Sequence, residues 1–423
     1  MSDDELLTPP NRLSRRSLLR GSALLALAVP GAGAVLDACS SSSTTGSALD
    51  LTKVPIATPE NPVLWPISSD AMPIASGLKP EQGATLKLYN YADYISKGAI
   101  KSFEQKYKSS GVKVTVSTFN DEDEALAKLR SGQVAFDIYF PSYDAIGKLV
   151  VGGLVQPLNH SYIPTISNVW PEFENPFYDQ QWRYTVPYTI YTTGIGWRAD
   201  KVTTDIATMA NPYDVFWDTQ YAHQLAVLDD YRSCMAMVLL RNGIYDINTG
   251  NPNDLKMVSQ QLTQMQQATH PKVNVTDYTD LPAGVVAISQ AWSGDLINAL
   301  GYLANGESPS VLRYWFPPNG KGEVDNDLMV VLRSSQSPVL AHLFLAHMLE
   351  YDVAYQNFQQ IGYQPPQNQI NPDQLVANSF IPPNLRTAVV LPQYFDVGSQ
   401  TLELPPAVDA EWHAVWQQFK AGA

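Results

Sequence analysis

Apolar and polar positions follow regular patterns from about residue 84 onward. The alternation over residues 86–89 predicts a first strand. Ile100, Phe103 and Tyr107 then recur at helical spacing, and Gly111 is a typical end for that helix. The folded part of the chain therefore begins with a strand and a helix.

The next segments continue this alternation of strand and helix. A second strand is predicted over 112–116, and Asp121 with Glu124 three residues later resembles a capping box for the next helix. Residues 136–140 form an apolar run typical of a buried third strand. The β-α-β-α-β order predicts a mostly parallel α/β sheet with right-handed crossovers.

Later segments add to the same architecture. A buried strand over 225–228 ends in Asp229 and Asp230, and a helix is predicted over 233–241. Ligands of open α/β sheets bind at the carboxyl ends of strands, where these two acids lie. A long helix is predicted over 338–358, with Ser337 as its cap and proline as its first residue.

The first 38 residues predict export. Arg15 and Arg16 precede sixteen uncharged residues, 21–36, a stretch too short for a helix that must cross a bilayer. The twin arginine indicates a twin-arginine signal. The segment 36–39, Leu-Asp-Ala-Cys, resembles a lipobox, so residues 1–38 are predicted to be a signal and Cys39 the lipidated mature N-terminus. The alternative is ordinary signal cleavage nearby, with Cys39 lost or idle.

A linker is predicted between the signal and the folded body. Residues 39–83 begin with a serine run and then contain scattered prolines, a composition that cannot form a packed helix or a central strand. Val63, Leu64, Trp65 and Ile67 are apolar, so this second half of the tether is expected to lie against the body. The remaining length favours two domains.

Cysteine content and charge limit the disulfides that the protein can form and the kinds of partner that it can bind. Cys39 and Cys234 are the two cysteines, so lipidation of the first leaves no intramolecular disulfide. The formal charge of −14 disfavours nucleic acid and anionic lipid as partners and favours small cations. Charged residues are only 16% of the chain, against a usual value near 25%, so polar uncharged residues must cover much of the surface.

Motifs for catalysis are absent from the sequence. It has no nucleophile elbow, dinucleotide fingerprint, phosphate loop or His-Glu-x-x-His zinc motif. His342 and His347 are five apart and cannot share a helix face, so no metal site and no cofactor are predicted. The pair Asp229 and Asp230 raises the alternative of a hydrolase, but consecutive carboxylates point apart.

Several short motifs occur in an order shared with a known family. They are Asn90-Tyr91-Ala92-Asp93-Tyr94, Asp137-Ile138 with Pro141-Ser142, Val186-Pro187-Tyr188 with Gly194-Ile195-Gly196, Leu228-Asp229-Asp230-Tyr231-Arg232, Ala291-Trp292-Ser293-Gly294, Ile361-Gly362-Tyr363-Gln364-Pro365 and Phe395-Asp396-Val397-Gly398. With them the chain, from about Leu86 to its end, resembles the substrate-binding proteins of bacterial polyamine ABC transporters.

The resemblance implies a two-lobed α/β fold of the periplasmic-binding-protein type, with crossing hinge strands and the ligand trapped between the lobes. Residues 84–190 with 328–372 are expected to form the first lobe, and 191–327 with 373–423 the second. The implied ligand-binding residues are Tyr91, Asp93, Tyr94, Ser142, Asp144, Asp230, Ser233, Trp292, Asp325, Tyr363 and Tyr394. Asp230 is the implied amine-binding acid, and Trp292 is the main aromatic wall. Because consecutive side chains point apart, Asp229 is left with a capping or hinge role.

The sequence departs from the family pattern at two places. Ser233 stands where polyamine binders commonly have a second carboxylate. The tryptophan expected before a late acid is missing, and either Asp325 or Asn326 takes the place of that acid. One amine pocket is therefore expected to be altered.

These observations predict a membrane-tethered, extracytoplasmic receptor that is not an enzyme. It would act as a monomer, capture a polyamine such as spermidine or putrescine, and present it to an ABC permease and its ATPase. The alternatives are the same fold with a sugar, an amino acid derivative or ferric iron, a secreted carboxylate hydrolase, or an adhesin without a closable cleft.

Overall fold

The computed structural model describes residues 54–422. Its strands are β1 (Thr85–Tyr91), β2 (Lys113–Phe119), β3 (Ile138–Tyr139), β4 (Thr185–Arg198), β5 (Leu225–Leu228), β6 (Lys272–Asn274), β7 (Ile288–Trp292), β8 (Leu312–Trp315) and β9 (Glu323–Val331). Its α-helices are α1 (Lys97–Lys106), α2 (Glu122–Ser131), α3 (Ile146–Val151), α4 (Tyr231–Arg241), α5 (Pro252–Thr269), α6 (Asp277–Asp280), α7 (Ser293–Asn298), α8 (Pro338–Met348), α9 (Tyr351–Ile361), α10 (Pro372–Ala377), α11 (Tyr394–Val397) and α12 (Pro406–Ala421).

The strands join one sheet in the order β2-β1-β3-β9-β4-β7-β5-β6, and β8 pairs with β4 beside this path. β1 is parallel to β2 and β3, and β5 is parallel to β6 and β7. We call these groups the first half and the second half of the sheet. Between them, the long strands β4 and β9 are antiparallel to each other. The predicted parallel α/β units are thus joined by two crossing strands.

Both halves bury apolar residues on the two faces of the sheet. In β1, Leu88 and Tyr89 belong to different buried clusters, and in β5 so do Ala226 and Val227. Successive strand residues point to opposite faces, so helices cover each half on both sides. The exact lobe boundaries given above stay a prediction.

Most predicted elements in the described range are present, but the long helix over 338–358 is wrong. The chain forms α8 and α9 instead, because Glu350 adopts an extended conformation. The free carbonyl of Leu349 at this break accepts a hydrogen bond from the Asn168 side chain at 3.3 Å. Ser337 makes no capping hydrogen bond with its side chain; the carboxylate of Glu81 accepts from the first backbone amides of α8 instead. Side chains from outside the helix therefore form hydrogen bonds at both ends of α8: the carboxylate of Glu81 at its first turn and the amide of Asn168 at its end.

The second half of the predicted tether packs on the body at several residues, among them Val63, Trp65 and Glu81. The indole of Trp65 is buried, and its N–H donates to the carbonyl of Tyr178 at 2.7 Å. The backbone of Val63 donates to Phe177 at 2.8 Å. Leu64 and Ile67 are exposed, but the segment as a whole lies against the body, as predicted.

The predicted signal, Cys39 and the serine-rich start of the tether lie outside the described residues. Between residues 54 and 422, no helix has the length and apolar character needed to cross a membrane.

Candidate binding site

A cavity of about 870 Å³ lies at the carboxyl ends of the strands, where the two halves of the sheet meet. Tyr91 ends β1, Ser142 follows β3, Asp229 follows β5 and Trp292 ends β7, and all four line the cavity. Twelve carboxylates line it, against three lysine or arginine side chains. This composition makes the cavity strongly acidic.

Three of the carboxylates belong to alternate residues of β9, namely Glu323, Asp325 and Asp327. We call them the β9 carboxylate row. Asn326 faces the other side of the sheet, where its amide donates to the Tyr178 hydroxyl at 3.1 Å. Side chains alternate along a strand, so the choice left open by the sequence falls on Asp325 as the residue that lines the cavity.

Asp327 accepts three hydroxyl hydrogen bonds. The donors are Tyr94 at 2.6 Å, Ser142 at 2.9 Å and Tyr191 at 3.3 Å. Burial raises the pKa of Asp327 to about 7, and the neighbouring Asp325 adds to the shift, although the hydroxyl donors oppose it. Hydroxyls orient this carboxylate without neutralising its charge.

Asp325 accepts from the Tyr143 hydroxyl at 2.7 Å and from the backbone amide of Thr401 at 2.9 Å. Burial raises its pKa to about 6. Glu323 accepts from the Ser233 hydroxyl at 2.5 Å, and burial, followed by the charge of Asp325, raises its pKa well above the usual value. Ser233 stands where a second carboxylate was expected, and the carboxylate of Glu323 on β9 lies beside it.

Asp230 is the N-cap of α4. Its Oδ1 accepts from the backbone amide of Ser233 at 2.7 Å, and the residue also lines the cavity. Burial raises the pKa of Asp230, which the Ser233 amide opposes. Asp229 forms an ion pair with Lys420 at 2.8 Å. The capping role expected for Asp229 thus belongs to Asp230, because Asp230 has the extended backbone of an N-cap residue.

Aromatic side chains form one wall of the cavity. The rings of Tyr94 and Tyr363 lie 4.6 Å apart, and Tyr191 lies 5.9 Å from Tyr363 and 6.3 Å from Trp292, measured between ring centroids. Tyr91 packs against Tyr94 at 5.8 Å. Such faces contact methylene groups and attract cations.

Sequence reasoning missed several of the lining carboxylates. Glu122 accepts hydroxyl hydrogen bonds from Tyr91 at 2.8 Å and Tyr139 at 2.6 Å, and burial raises its pKa to about 8, with help from Asp144. Asp295 accepts from the Tyr363 hydroxyl at 2.9 Å. Nothing local in the sequence marks these two residues.

Asp295 also contacts a second buried acid, Asp277. Burial, then the charge of Asp295, raises the pKa of Asp277 well above its usual range, whereas burial raises the pKa of Asp295 to about 6. Two buried acids this close together disfavour ionisation of both at once.

Two predicted acids lie nearer the solvent. Asp144 is half-buried, and burial raises its pKa while Arg232 and Lys148 oppose the shift. Asp93 is exposed, with a left-handed φ of 55°. Tyr394 alone among the predicted site residues does not line the cavity: its ring packs on Phe316 at 5.1 Å. The short helix α11 holds it there.

One ion pair and one aspartate–histidine contact cross the mouth of the cavity. Lys148 of α3 lies 3.8 Å from Asp409 of α12, and Asp123 of α2 lies 3.6 Å from His413 of α12. The Tyr231 hydroxyl donates to Asp409 at 2.6 Å. The contacts of Lys148 and Asp123 with α12 join helices that cover different halves of the sheet, whereas the Tyr231 contact joins α4 and α12 within the second half.

In residues 54–422, no three histidine, cysteine or acidic side chains are arranged to hold a metal ion.

Comparison with known proteins identifies relatives of this chain. The spermidine/putrescine-binding periplasmic protein of Salmonella typhimurium is 27% identical over 288 residues, which cover 67% of this chain and 77% of the relative. The putrescine/cadaverine-binding protein of Pseudomonas aeruginosa is 25% identical over 311 residues, covering 72% and 84%.

Solved structures agree on the fold. The substrate-binding protein of a spermidine/putrescine ABC transporter from Streptococcus pneumoniae aligns with a TM-score of 0.64 at 23% identity, covering 80% of this chain and 99% of that one. A putative spermidine/putrescine ABC transporter protein from Listeria monocytogenes gives 0.66 at 24% identity, covering 79% and 98%. The predicted periplasmic-binding-protein fold is confirmed. The family model described as bacterial extracellular solute-binding protein matches residues 98–380. This chain belongs to the bacterial extracellular solute-binding proteins.

Proposed function

We propose that this protein captures a polyamine in its acidic cavity and delivers it to the permease of an ABC importer. The observation that carries the proposal is the excess of carboxylates over cationic side chains in a cavity with aromatic walls. Relatives named for spermidine, putrescine or cadaverine binding support the same ligand class. The protein acts as a receptor and catalyses no reaction.

A polyamine supplies the positive charges that the buried carboxylates of the cavity lack. Asp325, Asp327 and Glu323 are nearly inaccessible to solvent, and a buried carboxylate is costly unless a cation compensates it. Ammonium groups provide that compensation through charge-assisted hydrogen bonds. The methylene segments between them pack on Tyr94, Tyr363 and Trp292. A sugar or a neutral amino acid derivative would leave the carboxylates unpaired.

Capture involves closure of two lobes about β4 and β9. The first lobe comprises residues 84–190 with 328–372, and the second 191–327 with 373–423. The contacts of Lys148 with Asp409 and of His413 with Asp123 across the mouth would stabilise such closure. A monomer suffices for this movement.

We also propose that the protein is anchored outside the cytoplasm through lipid on Cys39, after twin-arginine export. The support is the sequence of residues 14–39 alone. Cys39→Ser should shift the protein from the membrane fraction to the soluble extracytoplasmic fraction. A mature N-terminus elsewhere, without acyl groups by mass spectrometry, would contradict the anchor.

A thermal shift screen tests the ligand class. The soluble body starting near residue 54 would be heated with polyamines, sugars, amino acids or ferric iron as matched rivals. A ligand present at one hundred times its Kd adds about 2.7 kcal/mol of stability. Stabilisation by amines alone supports the proposal, whereas stabilisation by a sugar, an amino acid or iron, with none by amines, contradicts it.

A further inference from the structure

The β9 carboxylate row has a regular spacing. Two residues of a strand advance about 6.7 Å, so Glu323, Asp325 and Asp327 extend over roughly 13 Å along one face of β9. All three line the same cavity and are only 2%, 4% and 4% exposed. The row is therefore a straight series of three buried negative groups.

No residue of the described chain supplies a cation to this row. The hydrogen-bond donors to its members are hydroxyls, such as those of Ser233 and Tyr143, and one backbone amide, that of Thr401. Ion pairs in the described range involve other acids. Each member of the row is thus polarised by its donors but carries an uncompensated charge when ionised.

The two ends of the row differ. At the Asp327 end, Tyr94 and Tyr191 donate to the carboxylate and belong to the aromatic wall. At the Glu323 end, Asp230 lies close enough for its charge to act on Glu323. A ligand held by the aromatic wall must extend along β9 to reach Glu323.

We propose that the β9 carboxylate row measures polyamine length, so that linear polyamines with three or more ammonium groups bind more tightly than diamines. The inference rests on the proposed function and adds the ligand subclass. An extended chain advances about 1.25 Å per bond, so amines separated by three or four methylenes lie roughly 5 to 6 Å apart. A triamine therefore matches three carboxylates at the row's spacing.

A diamine can occupy only two of these positions. The aromatic wall favours the Asp327 end, so Glu323 is the member that a diamine leaves without a partner. Glu323 is then the residue that discriminates triamine from diamine, while Asp327 and Asp325 serve both.

Calorimetry on the mature chain with putrescine, spermidine and spermine tests the inference. Spermidine should bind about thirtyfold more tightly than putrescine, because one further desolvated charge pair forms. Glu323→Gln keeps the shape and removes the charge, so it should weaken spermidine about tenfold or more and putrescine less than about twofold. Asp352→Asn, an equal change of charge at an exposed site away from the cavity, is the matched control and should alter neither affinity.

The outcomes separate the two proposals. Failure of all three amines to bind refutes the proposed function. Binding of putrescine as tight as spermidine refutes the length measurement and leaves the proposed function intact. Equal losses for both ligands in Glu323→Gln would assign Glu323 a structural role. If that variant does not fold, Glu323→Ala takes its place in the same comparison of losses, and equal affinity of the native protein for putrescine and spermidine still refutes the inference.

Discussion

Polyamine affinity should rise with pH across the range in which the β9 carboxylate row titrates. Burial raises the pKa of Asp325 to about 6 and that of Asp327 to about 7, above the usual Asp value near 3.9. In the empty cavity Asp327 therefore binds a proton below about pH 7, and Asp325 below about pH 6. Ligand ammonium groups favour the ionised carboxylates, and their own pKa near 10 keeps them charged throughout. Binding must then release protons, and low pH must oppose it.

The size of the effect follows from the two pKa values. If Asp325 and Asp327 are both ionised in the complex, these two groups together should increase affinity roughly 100-fold between pH 5.5 and pH 7.5, with Asp327 responsible for about 25-fold and Asp325 for about fourfold. Glu323, whose pKa burial raises well above its usual value, should add to this increase when it also pairs with the ligand. Asp327→Asn removes the larger contribution. That variant should bind more weakly at neutral pH, and its affinity should increase about 25-fold less than that of the native protein over this pH range.

Isothermal titration calorimetry with spermidine, repeated in buffers of different ionisation enthalpy, measures both the affinity and the number of protons released. At pH 6 the native protein should release more than one proton, and Asp327→Asn correspondingly fewer. Affinity that is independent of pH, or that strengthens toward pH 5.5, would refute the assignment of the row as the ammonium-binding surface.

Three further outcomes are expected. Asp230→Asn retains the helix cap, since Asn caps as well as Asp, but should weaken amine binding by about 2 kcal/mol or more. The control, Asp229→Asn, breaks only the half-exposed pair with Lys420 and should weaken binding less than about threefold. Equal affinities of the native protein and Asp230→Asn by calorimetry would disprove the role of Asp230. Trp292→Ala should remove most of the fluorescence change on ligand addition while the other eight tryptophans still report the fold; an unchanged signal and affinity would assign Trp292 to packing. The free energy of unfolding of the unliganded protein should fall as the pH rises from about 5 to 8, by about 1.4 kcal/mol for each unit by which a pKa is raised. The reason is that carboxylates with raised pKa values bind more protons in the folded state than in the unfolded state. An increase of stability over this pH range in chemical denaturation would count against buried, unpaired carboxylates.

Local sequence patterns were sufficient for the elements that pack by simple periodicity. Phe103 at helical spacing gave α1, and the run over 225–228 gave β5 with the same bounds as in the structure. These segments form where local propensity and tertiary packing agree. The long helix over 338–358 failed because the backbone is extended at Glu350. Beside this break, the Leu349 carbonyl accepts a hydrogen bond from Asn168, a residue far away in sequence.

The cavity shows the same division between local and tertiary information. Motif resemblance brought Asp230, Trp292 and Tyr363 to the cavity, but it also included Tyr394, which packs elsewhere. Glu323 and Asp327 were overlooked although they are two residues from Asp325. The period of two along a strand could have identified them, once β9 was recognised as a strand.

The sequence by itself determined the class of this protein: α/β units, an acidic composition and family motifs in a shared order, all of which are carried by neighbouring residues. The tertiary structure alone decided which acids share a cavity and which of them lack a cation. Glu122, Asp295 and Glu323 are far apart in the chain and come together only when the two halves of the sheet meet across β4 and β9. Burial raises the pKa of all three, and neighbouring carboxylates add to the shift at Glu122 and Glu323; neither effect exists until the chain has folded.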